Sequence, residues 1–360
     1  MMIYYTREGQ SLIDLCDELQ IENPEYLRKY HQKNDFLPEQ PDSILVSGMK
    51  VYIPSSPEIR KINGEIRYEN KSLYDFPVNG KYPFDFRLCK GSYHMSQVMY
   101  SDDTPVAKYE SNISLDFEGV EKGFYHFHFS VYDFIKNDAP SETKAAALTE
   151  MCMKSIYPLE YIVTPDGQLI DVKLTKKVGG ILSELETVKD FFPDQYSSDY
   201  IENIRSIVQS PEIISQRYKN ILFSSFMFGA FYRSRLGNWT TSGLYHDCFP
   251  WIFDAQPIRF EFRNKLFPKN DLDDQWLKIH QKGRSSDCRS LEDLYLTDSE
   301  FNDNAVLTKE SVDCEHIAEY IFSREDLSLH KVTARFQNFL CDNIRSEDFL
   351  LQRITPDPSI

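Results

Sequence analysis

His126 and His128 stand two residues apart in GFYHFHFSVYDFI, a spacing that sends both imidazoles to one side of a β-strand. Two imidazoles suit two ligands of a metal site, which needs at least a third. His94, in another alternating stretch, would supply it if its strand paired alongside. The competing reading makes both histidines polar residues on the solvent face of a strand whose other face, Tyr125, Phe127, Phe129 and Val131, is apolar. On balance neither a metal nor an organic cofactor is expected. Cys248 follows Asp247 and precedes Phe249-Pro250-Trp251. A nucleophilic thiol gains from a helix N-terminus, and Pro250 obstructs a helix unless it opens there. Cys314-Glu315-His316 offers a thiol and an imidazole, and equally reads as a strand start carrying exposed charge. The zinc-protease, serine-hydrolase, phosphate-loop and dinucleotide signatures are absent. A carboxylate pair with glycosidase geometry is not readable from sequence. The expectation leans away from an enzyme.

The elements that would hold these groups follow from periodicity. Ile3 to Tyr5 reads as a short strand, Ser11 as the cap of a helix burying Leu12, Leu15 and Leu19, and Asn23-Pro24 as the start of a second helix containing Leu27 and Tyr30. Ser47-Gly48 turns into a strand from Met49 to Ile53, and Pro54-Ser55-Ser56-Pro57 reads as a stiff linker. Residues 61–136 read as β, with IRY, a stretch near Ser92 to Tyr100, VAKYESNISLDFEGV and GFYHFHFSVYDFI. A helix around Glu142 to Lys154 and a hairpin turning at Pro165-Asp166-Gly167 come next. Three helical stretches then run from Ile181 to about Ser234. The strongest opens at Ser210-Pro211 and is apolar almost all round (Ile214, Tyr218, Ile221, Phe228, Tyr232, with Phe223, Phe226 and Met227), as befits a central core helix. IRFEFRNKLF, DLYLTD, AEYIFS, SLHKVTARFQNFL and FLLQRI return to β. The expected class is α+β: a βααβ module over 1–55, a linker over 56–60, and a larger, mainly antiparallel domain over 61–360, built round a buried helix and with a split near 140 left open.

The first 55 residues resemble a LysM domain. YYTREGQSL, LQIENPEYLRKYH and ILVSGMKVYIP place Tyr4, Gly9, Ser11, Leu12, Leu27, Gly48, Val51, Ile53 and Pro54 on the positions that define that family. Gln10 stands where the family has Asp, His31 where it has Asn, and Ser47 where it has Pro, and the loop from Gln32 to Ser43 is longer. The resemblance implies binding of N-acetylglucosamine polymers, peptidoglycan or chitin, in a shallow groove. Its two sides would be Gly9, Gln10, Ser11 and Leu12, and Leu45, Val46 and Ser47. Nothing beyond residue 57 resembles a known family.

Charge and cysteine usage bound the rest. The 360-residue chain has a net charge of −16. Five Lys/Arg against nine Asp/Glu in the first 56 residues show that the acidity is spread out. Such a chain repels phosphate backbones and anionic lipid heads, so neither nucleic acid nor a membrane surface is an expected partner. Seven scattered cysteines without a CxxC pair point to a reducing compartment. Arg7 and Glu8 sit where a signal peptide would have its apolar core, and no apolar run reaches the ~20 residues of a spanning helix. A cytoplasmic protein is expected, with export left to a specialised secretion machine.

LysM-like modules also serve as protein adaptors in contractile tails, which assemble in the cytoplasm. The leading expectation is a non-catalytic binding or assembly protein of a contractile injection apparatus, type VI-like or phage-tail-like. The alternative is a glycan-binding protein or wall-targeting effector with an unrecognised hydrolase domain. The partner is then a protein of a larger assembly or an N-acetylglucosamine-containing glycan.

Overall fold

The computed structural model describes residues 2–32, 37, 43–74, 84–137, 144–234, 244–251, 255–269, 275–295, 311–340 and 343–354. The chain divides into two compact units. The first comprises Met1–Tyr82 with Ser234–Leu244 and Arg263–Asp274, and the second comprises Pro83–Arg233, Tyr245–Phe262 and Gln275–Ile360.

Unit 1 opens with β1 (Met2–Tyr5), α1 (Leu12–Leu19), α2 (Pro24–His31) and β2 (Lys50–Ile53). The strands pair antiparallel, Met2 opposite Ile53 and Tyr5 opposite Lys50. Ser11 caps α1 reciprocally: its hydroxyl accepts the Asp14 N–H at 3.1 Å and Asp14 Oδ2 accepts the Ser11 N–H at 3.0 Å. Asn23 Oδ1 accepts the Glu25 N–H at 2.9 Å, and Pro24 loses nothing at a position whose N–H has no helical partner. His31 is fully buried, and its Nδ1 accepts the Tyr52 N–H at 3.0 Å, which fastens α2 to β2. Most of the loop from Gln32 to Ser43 lies outside the described residues.

The expected linker over 56–60, and the expected strand at Ile66 to Tyr68, are instead one helix, α3 (Ser56–Tyr68). Ser55-Ser56-Pro57-Glu58 is a helix start, with Glu58 Oε2 accepting the Ser55 N–H at 2.8 Å. Ile59, Ile62 and Ile66 recur at helical spacing and pack on the cluster of Leu12, Leu15, Leu27, Leu45 and Val51. Arg67 of α3 pairs with the buried Glu22 at 2.8 Å. The first unit therefore extends beyond residue 55, because α3 completes its core.

Unit 2 contains β3 (Gly91–Ser101), β4 (Thr104–Glu121), β5 (Phe124–Lys136), α4 (Lys144–Ile156), β6 (Leu159–Val163) and β7 (Leu169–Leu174). Four helices follow: α5 (Val178–Phe191), α6 (Gln195–Val208), α7 (Pro211–Lys219) and α8 (Leu222–Phe228). After them come β8 (Tyr245–Phe249), β9 (Ile258–Leu266, whose residues from Arg263 onward count with unit 1), β10 (Trp276–Ser285), α9 (Leu291–Leu294), β11 (Cys314–Ser323), β12 (Leu329–Leu340) and β13 (Asn343–Ile354). They build one 11-stranded sheet in the order β7-β6-β5-β4-β3-β13-β12-β11-β10-β9-β8. It consists of two meanders joined where β13 pairs antiparallel with β3, Ile354 opposite Ser92 and Arg345 opposite Ser101.

This sheet overturns the expected α+β domain built round a central helix. The single long helix does not exist: α7 ends at Lys219 with Asn220 as its cap, Ile221 is extended, and α8 is a separate seven-residue segment. Ser224 Oγ donates to the Tyr218 carbonyl at 2.6 Å, taking up one of the carbonyls that α7 leaves open at its end. Six of the seven α8 residues are buried, but the organising element is the sheet beneath them. Two strands, β8 and β10, have no counterpart among the expected stretches. In β10 the inward positions are Leu277, Ile279, Gln281 and Gly283, so the apolar alternation fades halfway. DLYLTD is not a strand as far as it is described: α9 opens it, capped by Ser290 and Asp293. The hairpin at Gly167 is as read, with φ +84°, and a Cβ there would lie 1.9 Å from the Phe86 ring.

Candidate functional site

The candidate catalytic groups come first. Cys314 and His316 share the inward face of β11, and both are buried. Phe226, Phe249, Phe260, Phe262 and Phe336 surround the imidazole, with the Phe336 ring centre 4.5 Å away. Its Nε2 lies 2.7 Å from Gln281 Oε1, and Gln281 in turn donates to the Tyr245 hydroxyl. Burial pushes the His316 pKa down to about 3 and the Cys314 thiol up to about 12. Near neutral pH the pair is an uncharged imidazole beside a protonated thiol, the reverse of an activated nucleophile. Cys248 sits exposed on strand β8, so no helix dipole serves it, and desolvation and the neighbouring Asp247 raise its thiol pKa.

His126 and His128 do project from one face of β5, but each is engaged separately. His126 Nδ1 lies 2.8 Å from Glu160 on β6, and His128 Nδ1 lies 3.2 Å from Glu118 on β4. His94 sits on β3 opposite Asn112, four residues along β4 from Asp116, the partner of His128. Four strand residues span about 13 Å, too far for a shared ion. Among the described residues no group of three His, Cys, Asp or Glu side chains is placed to hold a metal.

The proposed groove residues of unit 1 are brought together. Leu45 N–H donates to the Gln10 carbonyl at 2.8 Å, and Ser11 bridges to Ile44, so the two loops run side by side. Thr6 donates its hydroxyl to the Val46 carbonyl. Gln10, Ser11, Leu12 and Leu45 are buried, whereas Gly9, Val46 and Ser47 are exposed. Gln10 is held inward: its Oε1 accepts the Arg7 N–H at 3.0 Å and its Nε2 donates to the Tyr4 hydroxyl at 3.0 Å. Gln10 is thus taken up in the local structure of the β1–α1 turn. The side chains exposed beside these loops are aliphatic, with Val46 74% exposed and Ile44 69% exposed. Ile44 was not among the sequence candidates, although its alternation with Leu45 and Val46 could have marked it.

Sequence reasoning also passed over Glu347. It lies on the inward face of β13, almost fully buried, accepting from Gln97 Nε2 at 2.9 Å and from the Trp251 side chain. Burial is the main reason its carboxyl pKa rises to about 7.

No described helix is long and apolar enough to cross a membrane. No protein-family model and no curated protein matches the chain. Among solved structures, one titled lipid–protein interactions in lipovitellin aligns with 75% of this chain at 6% identity and a TM-score of 0.31. The alignment spans about a quarter of that protein, 26% of its chain, and a likeness this slight says nothing of function.

Proposed function

We propose that the protein is a non-catalytic binding and assembly component whose first unit is a LysM-like module adapted to a protein partner, as in a contractile injection apparatus. The observation that carries this reading is the exposure of Ile44 and Val46 beside the paired loops. A sugar polymer held by backbone groups needs free carbonyls and N–H groups along both loops. Here the Gln10 carbonyl and the Leu45 N–H are spent on each other. Aliphatic side chains that stay exposed favour apolar contact with a protein surface. The burial of Cys314 and His316 in their uncharged forms supports the non-catalytic part.

The test uses the full chain. Co-expression with the gene products encoded beside it is expected to recover identified sheath, tube or baseplate proteins, and Ile44→Asp with Val46→Asp is expected to abolish that recovery. Retention on purified peptidoglycan or chitin that the same double variant abolishes would instead establish the glycan-binding reading and sink this one.

A further inference from the structure

In unit 1, Thr6 turns its backbone toward β2: its N–H donates to the Met49 carbonyl at 3.0 Å, and its carbonyl accepts the Gly48 N–H at 2.9 Å. Along an antiparallel strand this direction alternates, so Tyr4 and Met2 also face β2, while Tyr5 and Ile3 face away from it. Tyr52, the register partner of Ile3, confirms the phase, because its N–H points away from β1, to His31 Nδ1 at 3.0 Å. The N–H and carbonyl groups of Ile3 and Tyr5 therefore line the free edge of β1. Among the described residues nothing bonds to them.

The edges of the large sheet are finished differently. On β7 the edge N–H of Val172 is taken by Asp171 Oδ1 at 2.9 Å, and on β8 that of Cys248 by Asp247 Oδ1 at 2.9 Å. A carboxylate turned onto an edge N–H discourages a further strand. Among the described residues β1 has no such cover. From Met2 to Thr6 it is uncharged, and its outward side chains stand in water, Ile3 51% and Tyr5 64% exposed.

We infer that this edge pairs antiparallel with β1 of a second copy of the chain, about a two-fold axis at Tyr4. Ile3 then stands opposite Tyr5 of the copy, and Tyr5 opposite its Ile3. Each of these pairs exchanges both N–H···O bonds, so every edge donor and acceptor of the two residues finds a partner. A reversed β1 brings the whole complement by itself: donors, acceptors and apolar side chains at matching spacing. Ile3 against Tyr5 is a favourable cross-strand combination of a β-branched and an aromatic residue, and no like charges meet. A helix or a lipid surface offers no matching row of donors and acceptors. Pairing also turns a two-stranded ribbon, marginal by itself, into a four-stranded sheet. The contact is small beside the ~1,200 Å² of a lasting interface, so the dimer is weak and forms reversibly. It stands apart from the partner reading above, since it uses neither Ile44 nor Val46.

Sedimentation equilibrium of the full chain from about 5 to about 500 µM tests this, in enough salt to screen the repulsion between two chains of net −16. A reversible monomer–dimer equilibrium is expected. Tyr5→Pro removes an edge N–H, leaves the bonds of Tyr4 and Thr6 to β2 in place, and should weaken association roughly tenfold. Ile3→Lys and Tyr5→Glu, each alone, should weaken it similarly. Both in one chain set opposite charges across each pair and should restore much of it. Melting temperatures at the lowest concentration should match the parent, and the charge variants carry the test if proline disturbs the fold. Ile44→Asp with Val46→Asp should leave association unchanged, which separates this contact from the one proposed above. A chain that stays monomeric throughout, indifference of a folded Tyr5→Pro variant, or a double charge variant no better than its single parents would each overturn the inference.

Discussion

His316 and Glu347 stand on one rung of the large sheet, on either side of Phe336. His316 is the register partner of Phe336 across β11 and β12, and Phe336 is the partner of Glu347 across β12 and β13. The Trp251 ring stacks on Phe336 at 5.5 Å, and its side chain also donates to Glu347. Two ionisable groups thus share one aromatic wall, and burial drives both toward their neutral forms. Their effects on stability run in opposite directions with pH.

The Glu347 carboxyl has its pKa raised, from an ordinary 4.5 to about 7. A raised pKa gives stability that is full below the unfolded value and is lost as pH rises through the folded value. The loss is about 3 kcal/mol in total. Glu347→Gln keeps an acceptor for Gln97 and Trp251 but cannot ionise. Urea unfolding at about pH 5 and about pH 8 should show the parent losing stability relative to this variant. Parallel pH dependence of the two proteins would show that Glu347 is not a neutral buried acid.

His316 acts in the acid limb. Its pKa falls from 6.5 to about 3, so its contribution is complete above the unfolded value and is lost as pH falls toward 3. The loss is about 5 kcal/mol in total. His316→Phe should remove that acid dependence while costing about 1–3 kcal/mol near neutral pH, because Gln281 Oε1 loses its partner. The check is the difference in unfolding free energy between parent and variant, followed down to about pH 4. A constant difference would contradict the assignment.

Gly167 closes the β6–β7 turn against Phe86. Gly167→Ala adds a methyl 1.9 Å from the ring in a backbone conformation with φ +84°. The expected cost is about 2–4 kcal/mol, from strain and from displacement of the ring. Chemical denaturation measures it. A change below about 0.5 kcal/mol would mean that the turn is not packed on Phe86.

Arg67 neutralises Glu22, whose side chain is only 2% exposed, and Arg67 itself is about one-third exposed. Arg67→Ala should destabilise by about 2–3 kcal/mol, below the full cost of breaking a buried pair because water can partly replace the guanidinium. Loss of helical circular dichroism should accompany it, since α3 would detach from its anchor. If the variant melts like the parent, α3 is not a structural part of the first unit.

The sequence by itself determined what is settled within a few residues. The Ser11–Asp14 and Asn23–Pro24 helix starts, the Gly167 turn and the inward Phe127 and Phe129 of β5 follow from caps, a left-handed glycine and side-chain alternation. Each is written in neighbours along the chain. Ser55 to Glu58 carried a helix start too, but its two prolines read equally well as a linker until the isoleucine stripe of α3 had a core to cover.

Only the tertiary structure decided the sheet. Gln97 and Glu347, 250 residues apart, meet because β3 pairs with β13, and no local signal announces that partner. Strand alternation says that two faces differ, but which face is covered depends on packing of distant helices. Gln281 and Gly283 in β10 could not be read as inward residues before His316 and Phe262 stood against them. The charge state of a buried group is set by neighbours that only the folded chain brings together.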